Sequence, residues 1–204
     1  DLGEEDDEVC GMDNMRMVGV GVIGCSGIAD RRTIPEGILT ARNSKLTAVM
    51  GTNEGITREV ARKYGVKRYY TREEDLLQDP NVDAVYIATP NYLHARQAIA
   101  AAESGKHVLC EKPLALTVEE CEHIILACQK HDVKLQVGFM MRFHACHQEA
   151  LRIIKQGLIG HPVMGRAQLT CWYPEIPGAW RQDLKLGGGG CLMDMGIHLS
   201  LIHI

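Results

Sequence analysis

The chain has 204 residues, 46% of them hydrophobic and 24% charged, which is the balance of a chain that buries a core. The formal net charge is −4, but residues 1–8, DLGEEDDE, hold six of the acids and no base, leaving 20 acids against 22 bases elsewhere. That near-neutral body excludes the basic footprint of a nucleic-acid or anionic-membrane binder. No apolar run reaches bilayer length and no signal-peptide pattern opens the chain, so no membrane partner and a cytoplasmic location are expected.

Residues 1–15 read as an acidic disordered tail, with Met12, Met15 and Met17 as candidate starts nearer the first strand. MVGVGVI (17–23) is an apolar, β-branched run and predicts a buried strand. A short helical stretch and a second strand, KLTAVM (45–50), follow. TREVARKYG (57–65) has helical spacing and a glycine stop. In TREEDLL (71–77), Thr71 and Glu74 have capping-box spacing. DAVYIATP (83–90) predicts a strand and YLHARQAIAAAESGK (92–106) a helix closed by Gly105. HVLCEKP (107–113) is a strand, TVEECEHIILACQKH (117–131) a helix with the box Thr117 and Glu120, and KLQVGF (134–139) a strand. A helix over about 147–157 and a long strand, VMGRAQLTCWY (163–173), complete the pattern. Strands alternating with helices over 16–140 predict an α/β fold: a doubly wound parallel sheet with helices on both faces.

The eight cysteines form no C-x-x-C pair and are expected as reduced thiols. HACH (144–147) looks metal-like, but no second cluster has matching spacing, so it reads as a helix start and no metal is expected.

The glycines raise the question of a ligand. A literal G-x-G-x-x-G falls on Gly19, Gly21 and Gly24, but two of these lie inside the first strand, whereas the fingerprint belongs on a strand-to-helix turn. The frame with that context is GCSGIA (24–29). Gly24 makes the tight turn, Gly27 and Ala29 are small enough for close helix packing, and Gly24, Ser26, Gly27, Ile28 and Ala29 would cradle a pyrophosphate at the helix N-terminus. Ser26 stands where the pattern has its second glycine. At the tip of the second strand an acid would select NAD and a base NADP. Here stands GTNEG (51–55), whose Thr52 and Asn53 suit either ribose. ATPN (88–91) ends a strand at the carboxyl edge, so Thr89, Asn91 and His94 are cofactor-contact candidates; His94 reads equally as an ordinary helix-start residue.

GVIGCSGIA, ATPNYLHARQAIAAAESGKHVLCEKPLA, VGFMMRFH and GGGGCLMDMGIHL together resemble the Gfo/Idh/MocA oxidoreductases over about residues 16–199. The resemblance implies a Rossmann domain (16–140) followed by an α/β, mostly antiparallel second domain, of which 141–198 would be the beginning. It implies NAD or NADP as cofactor, a sugar, polyol or related small alcohol as substrate, and a homo-oligomeric full-length protein. EKP supplies Glu111 and Lys112 beside the nicotinamide, with Lys112–Pro113 a candidate cis bond, and the glycine-led motif supplies Asp194 and His198. The residue chemistry agrees. Histidine suits the removal of a hydroxyl proton near neutrality, Asp194 and His198 at i and i+4 share a helix face, and Lys112 can stabilise an alkoxide. CWYPEIPGAWRQD (171–183), with both tryptophans and Arg181, reads as a substrate-side loop or, equally, as a packing segment.

Two other functions stand beside this one: an NAD-dependent glycoside hydrolase acting by transient oxidation, and a non-catalytic dinucleotide sensor. The final LSLIHI is what the mosaic-end adapter of transposase library preparation encodes, so Leu199–Ile204 is expected to be an adapter scar. The likeness implies a longer protein, and the chain by itself is expected to bind cofactor weakly with little or no turnover.

Overall fold

The computed structural model describes residues 16–203, with side chains to residue 200; the acidic tail and Ile204 lie outside the described residues. Six parallel strands form one sheet: β1 (Val18–Ile23), β2 (Ser44–Met50), β3 (Arg68–Tyr70), β4 (Ala84–Ile87), β5 (His107–Cys110) and β6 (Leu135–Val137). Their order is β3-β2-β1-β4-β5-β6, the doubly wound Rossmann order, in which the chain reverses direction between β1 and β4.

Side-chain alternation builds a core on each face of the sheet. On one face Ile23, Val85 and Ile87 pack with Ala98, Ala101 and Ala102 of α3 (Asn91–Glu103) and with Ile124 of α4 (Val118–Lys130). The alanines let α3 lie close to the strands. On the other face Val22, Val49 and Tyr86 pack with Ala29 and Ile34 of a π-helical segment (Ala29–Ile38) and with Val60 of α1 (Glu54–Lys63). Pro35 lies inside that segment. It has no N–H to donate, which favours the wider winding.

The helix starts differ from expectation at two places. α1 begins at Glu54, three residues before the predicted start, because the Asn53 side chain accepts the Ile56 N–H at 3.1 Å and caps it. The Thr71–Glu74 capping box does not form. α2 (Glu73–Leu77) starts after Arg72 with no side-chain cap, and the Glu73 carboxylate turns inward to Arg96 and Gln97. The box at Thr117 and Glu120 is present in full. His144 caps α5 (Ala145–Lys155) by accepting the Cys146 N–H, as the helix-start reading of HACH expects.

The predicted strand 163–173 is a correction: the segment has no regular structure. A strand exists through its ladder, and no described strand lies beside this one to supply it. After it come α6 (Leu184–Gly187), a π-wound turn (Leu192–Gly196) and α7 (Ile197–His203). Among the described residues no helix is long and apolar enough to cross a membrane.

The first glycines have distinct causes. A Cβ on Gly19 would lie 2.1 Å from the Asn81 carbonyl oxygen, and one on Gly21 would lie 2.9 Å from Leu76. Both therefore serve strand packing, as rejection of the first glycine frame requires. Gly27 corrects an expectation: a Cβ there would meet nothing, so no close helix packing depends on it, and its φ of +64° is the reason for glycine. Gly19→Ala is expected to lower stability by about 2 kcal/mol or more through overpacking, whereas Gly27→Ala should lower it by only about 1 kcal/mol through φ strain. Urea unfolding of the two variants checks the order; equal midpoints would refute it.

Candidate functional site

The carboxyl ends of β1, β4 and β5 meet on one edge of the sheet, where the chain reversal opens a crevice. The β1 turn comes first. Gly24 has φ +85°, and a Cβ on it would sit 2.9 Å from the Ala88 carbonyl, so neither its conformation nor its space admits a side chain. The Gly24 and Cys25 N–H groups both donate to the Met50 carbonyl, at 2.9 and 3.0 Å, which draws the tip of β2 against the turn. Ser26, Gly27 and Ile28 are then exposed, Ala29 is buried, and no side chain caps the helix that follows. The first N–H groups of that helix have no side-chain cap, and a Cβ on Gly27 would meet nothing, an arrangement that fits a pyrophosphate.

The β2 tip has a steric reason to lack an acid. A Cβ on Gly51 would meet the Thr57 hydroxyl at 2.8 Å and the Cys25 sulfur at 3.2 Å. Thr52 is exposed, the Asn53 oxygen is engaged as a cap, and Glu54 pairs with Arg58.

At the end of β4 the side chains turn inward. The Thr89 hydroxyl donates to Gln97, whose amide donates to Glu73. His94 is 1% exposed, with Nδ1 2.8 Å from the Pro113 carbonyl and Nε2 2.9 Å from the Thr89 carbonyl. The neutral ring donates to one of these carbonyls and packs against the other, and so lies buried between the loops after β4 and β5. Burial pulls its pKa below the ordinary histidine value, against the pull of the two carbonyls. Asn91 is also buried, and its amide donates to the Gly187 carbonyl at 3.0 Å.

Among the described residues, two side chains tie the late segment to the sheet edge by hydrogen bonds, and Asn91 is one of them. The other is Lys112, whose peptide bond to Pro113 is cis. Its ammonium donates to both the carboxylate and the main-chain carbonyl of Asp194, each at 2.7 Å. The lysine side chain is 14% exposed and the aspartate 35%, so the pair is shielded on the lysine side and open on the other. Glycine permits the approach: a Cβ on Gly187 would lie 2.8 Å from the Arg181 carbonyl oxygen, and one on Gly188 2.8 Å from Leu116.

His198 is 6% exposed, and its Nδ1 has no hydrogen-bond partner among the described residues. Burial lowers its pKa, the Lys112 charge lowers it further, and Glu111 and Asp194 pull the other way. The i, i+4 spacing thus does not hand the Asp194 carboxylate to the imidazole. The turn Leu192–Gly196 is π-wound, and Asp194 faces Lys112 instead. Beside the pair lies an open cleft of about 1190 Å³, lined among others by Trp180, Arg181, Asp183, Cys191, Asp194 and Met195. The Arg181 guanidinium stacks 4.2 Å from the Trp180 ring centre.

Sequence reasoning missed three residues of this edge. The Tyr86 hydroxyl donates to Glu111 at 2.7 Å and accepts from Thr33 at 2.9 Å, and a Cβ on Gly138 would crowd the Glu111 carboxylate at 3.3 Å. Tyr86 had a signal: a tyrosine inside the apolar run AVYI must find a partner for its hydroxyl.

Comparison with known proteins is consistent along the chain. Residues 18–139 match the model for "Oxidoreductase family, NAD-binding Rossmann fold" and residues 147–201 match "GFO/IDH/MocA C-terminal domain". The chain is 35% identical over 178 residues to 1,5-anhydro-D-fructose reductase from Ensifer adhaerens, covering 87% of this chain and 53% of that protein. It is 33% identical over 182 residues to myo-inositol 2-dehydrogenase from Thermotoga maritima, covering 89% and 51%. Aldose-aldose oxidoreductase from Caulobacter crescentus, solved with glycerol, superposes with a TM-score of 0.80 at 33% identity, covering 92% of this chain and 57% of that one. The 3-ketoreductase KijD10 from Actinomadura kijaniata, solved with NADP, gives 0.77 at 28% identity, covering 90% and 55%. The chain thus spans about half the length of the relatives it matches. With its sheet order, its uncapped glycine turn and both family models in register, it belongs to the Gfo/Idh/MocA family of NAD-binding oxidoreductases.

Proposed function

We propose that this chain provides the dinucleotide-binding domain (16–140) and the beginning of the substrate domain (141–198) of an oxidoreductase that transfers hydride between NAD or NADP and a secondary alcohol of a sugar or polyol. The observation that carries the reading is the Lys112–Asp194 pair, which ties Asp194, a lining residue of the cleft in the late segment, to the loop after β5 on the sheet edge that also holds the glycine turn. Relatives named as acting on anhydrofructose, inositol and xylose support the substrate class.

Bound NAD(P) supplies the hydride chemistry. The chain's residues do the rest. Gly24, Ser26, Gly27, Ile28 and Ala29 receive the pyrophosphate, and Thr52 and the free amide of Asn53 lie at the ribose. The Lys112 ammonium donates to the reacting oxygen and stabilises negative charge as it develops there. Asp194 holds that ammonium and accepts hydrogen bonds from neighbouring hydroxyls. His198, kept neutral by burial and by the lysine, takes the hydroxyl proton. Thr89 and Asn91 hold the loop beneath the cofactor. His94 is assigned as its clamp, since its ring is sealed between two carbonyls.

The test is to assay the protein encoded by the source gene on sugars and polyols with both dinucleotides. Lys112→Ala should lower kcat/KM by about a hundredfold or more while leaving dinucleotide binding measurable. Unchanged turnover in that variant would sink the catalytic assignment.

The pH dependence has a definite sign. His94 and His198 both have folded pKa values below the ordinary 6.5, so each stabilises the fold above that value, and the contribution is lost as pH falls from it through the folded pKa. The urea midpoint should therefore fall between pH 7 and pH 5, and alcohol oxidation should lose its base over the same direction. A midpoint that rises on acidification would contradict this.

A further inference from the structure

Tyr86 belongs to no part of the mechanism above, yet its hydroxyl joins Glu111, beside Lys112, to the middle of the helix that follows the glycine turn. It lies on β4, 2% exposed, on the opposite face of the sheet from Val85 and Ile87. Alternation along the strand therefore points its ring at the π-helical segment that begins at the glycine turn. There the Thr33 hydroxyl donates to the Tyr86 oxygen at 2.9 Å. The Tyr86 hydroxyl donates in turn to one carboxylate oxygen of Glu111 at 2.7 Å. The other Glu111 oxygen accepts the Lys112 main-chain N–H at 3.3 Å. Gly138 leaves the room that the carboxylate occupies.

The protons of this chain converge on Glu111: the Thr33 and Tyr86 hydroxyls point toward it from the helix after the glycine turn, and the Lys112 main-chain N–H points to it from the other side. The ring is packed in the core, so the strut has a rigid middle. Burial and the Glu111 charge push the phenol's pKa up, which keeps the hydroxyl a donor. A donor chain ending on a carboxylate is stronger than its separate links.

We infer that Tyr86 is a positioning residue that, through Glu111, sets the direction of Lys112 at the nicotinamide end of the site. The inference rests on the dinucleotide reading given under Proposed function. It differs from a packing role in one measurable respect. The ring fills the core, whereas the hydroxyl acts on the nicotinamide end and leaves the adenosine end alone.

The experiment is calorimetric titration of the 204-residue chain, wild type and Tyr86→Phe, with NADH and NADPH and with ADP-ribose and its 2′-phosphate, which lack the nicotinamide. The expected result is a Kd for the reduced dinucleotides raised about tenfold in Tyr86→Phe, as for loss of one hydrogen bond to a charged group, with the ADP-ribose ligands unchanged within about twofold. Glu111→Gln should show the same selective loss, and Tyr86→Phe added to Glu111→Gln should add little, because the two act as one unit. Equal weakening of both ligand classes would mean that the hydroxyl serves packing only and would overturn the inference, as would no weakening of either. If Tyr86→Phe fails to fold, Glu111→Gln alone decides by the same pattern. Failure of the wild-type chain to bind any of the four ligands would instead remove the dinucleotide reading, and the strut's role with it.

Discussion

The ammonium of Lys112, lodged between the carboxylate and the main-chain carbonyl of Asp194, joins two parts of the chain that are 82 positions apart. Most of the site's geometry depends on that contact. It sets where the glycine-led segment lies against the sheet, turns Asp194 away from His198, and places a positive charge beside a buried imidazole. Half-shielded, the pair is worth more than an exposed salt bridge, and it stays open on the side where a hydroxyl could join it. The Asn91 amide on Gly187 acts beside it, so the segment is held at two points on the same sheet edge.

Holding the segment that close requires an absence of side chains. A Cβ on Gly188 would collide with Leu116 after β5, and one on Gly187 would collide with the Arg181 carbonyl within the segment's own fold. The same physics recurs at Gly24, where the β1 turn meets the end of β4, and at Gly51, where Thr57 and Cys25 leave no room. Gly51 therefore gives a steric reason for the lack of an acid at the β2 tip: a side chain there would crowd the Thr57 hydroxyl and the Cys25 sulfur. Gly27 is different in kind, kept by its backbone angle in open space.

Much of this was legible beforehand. Gly24, Lys112, Asp194 and His198 sit in motifs whose order and spacing are distinctive, and the box at Thr117 and Glu120 is a local signal answered by local bonds. The neighbouring box at Thr71 failed for a tertiary reason: Glu73 was drawn inward by Arg96 and Gln97, and the helix start moved with it. Asn53, expected at the ribose, also caps α1 through its side-chain oxygen. His94, expected as a contact or a helix-start residue, is buried between the Pro113 and Thr89 carbonyls. Tyr86, Thr33 and Gly138 were missed because they are far apart in the chain and meet only once the strands are ordered.

The sequence by itself determined the α/β class, the parallel sheet, the glycine turn and the family. These follow from period-two and helical patterning and from short motifs, whose physics acts within a few residues. The tertiary structure decided what each polar atom faces. It paired Asp194 with Lys112 rather than with His198, left the 163–173 segment without a ladder, and ran a hydrogen-bonded strut across β4. Those outcomes depend on which strand lies beside which and on where a Cβ would collide, and neither is written in the spacing of residues along the chain.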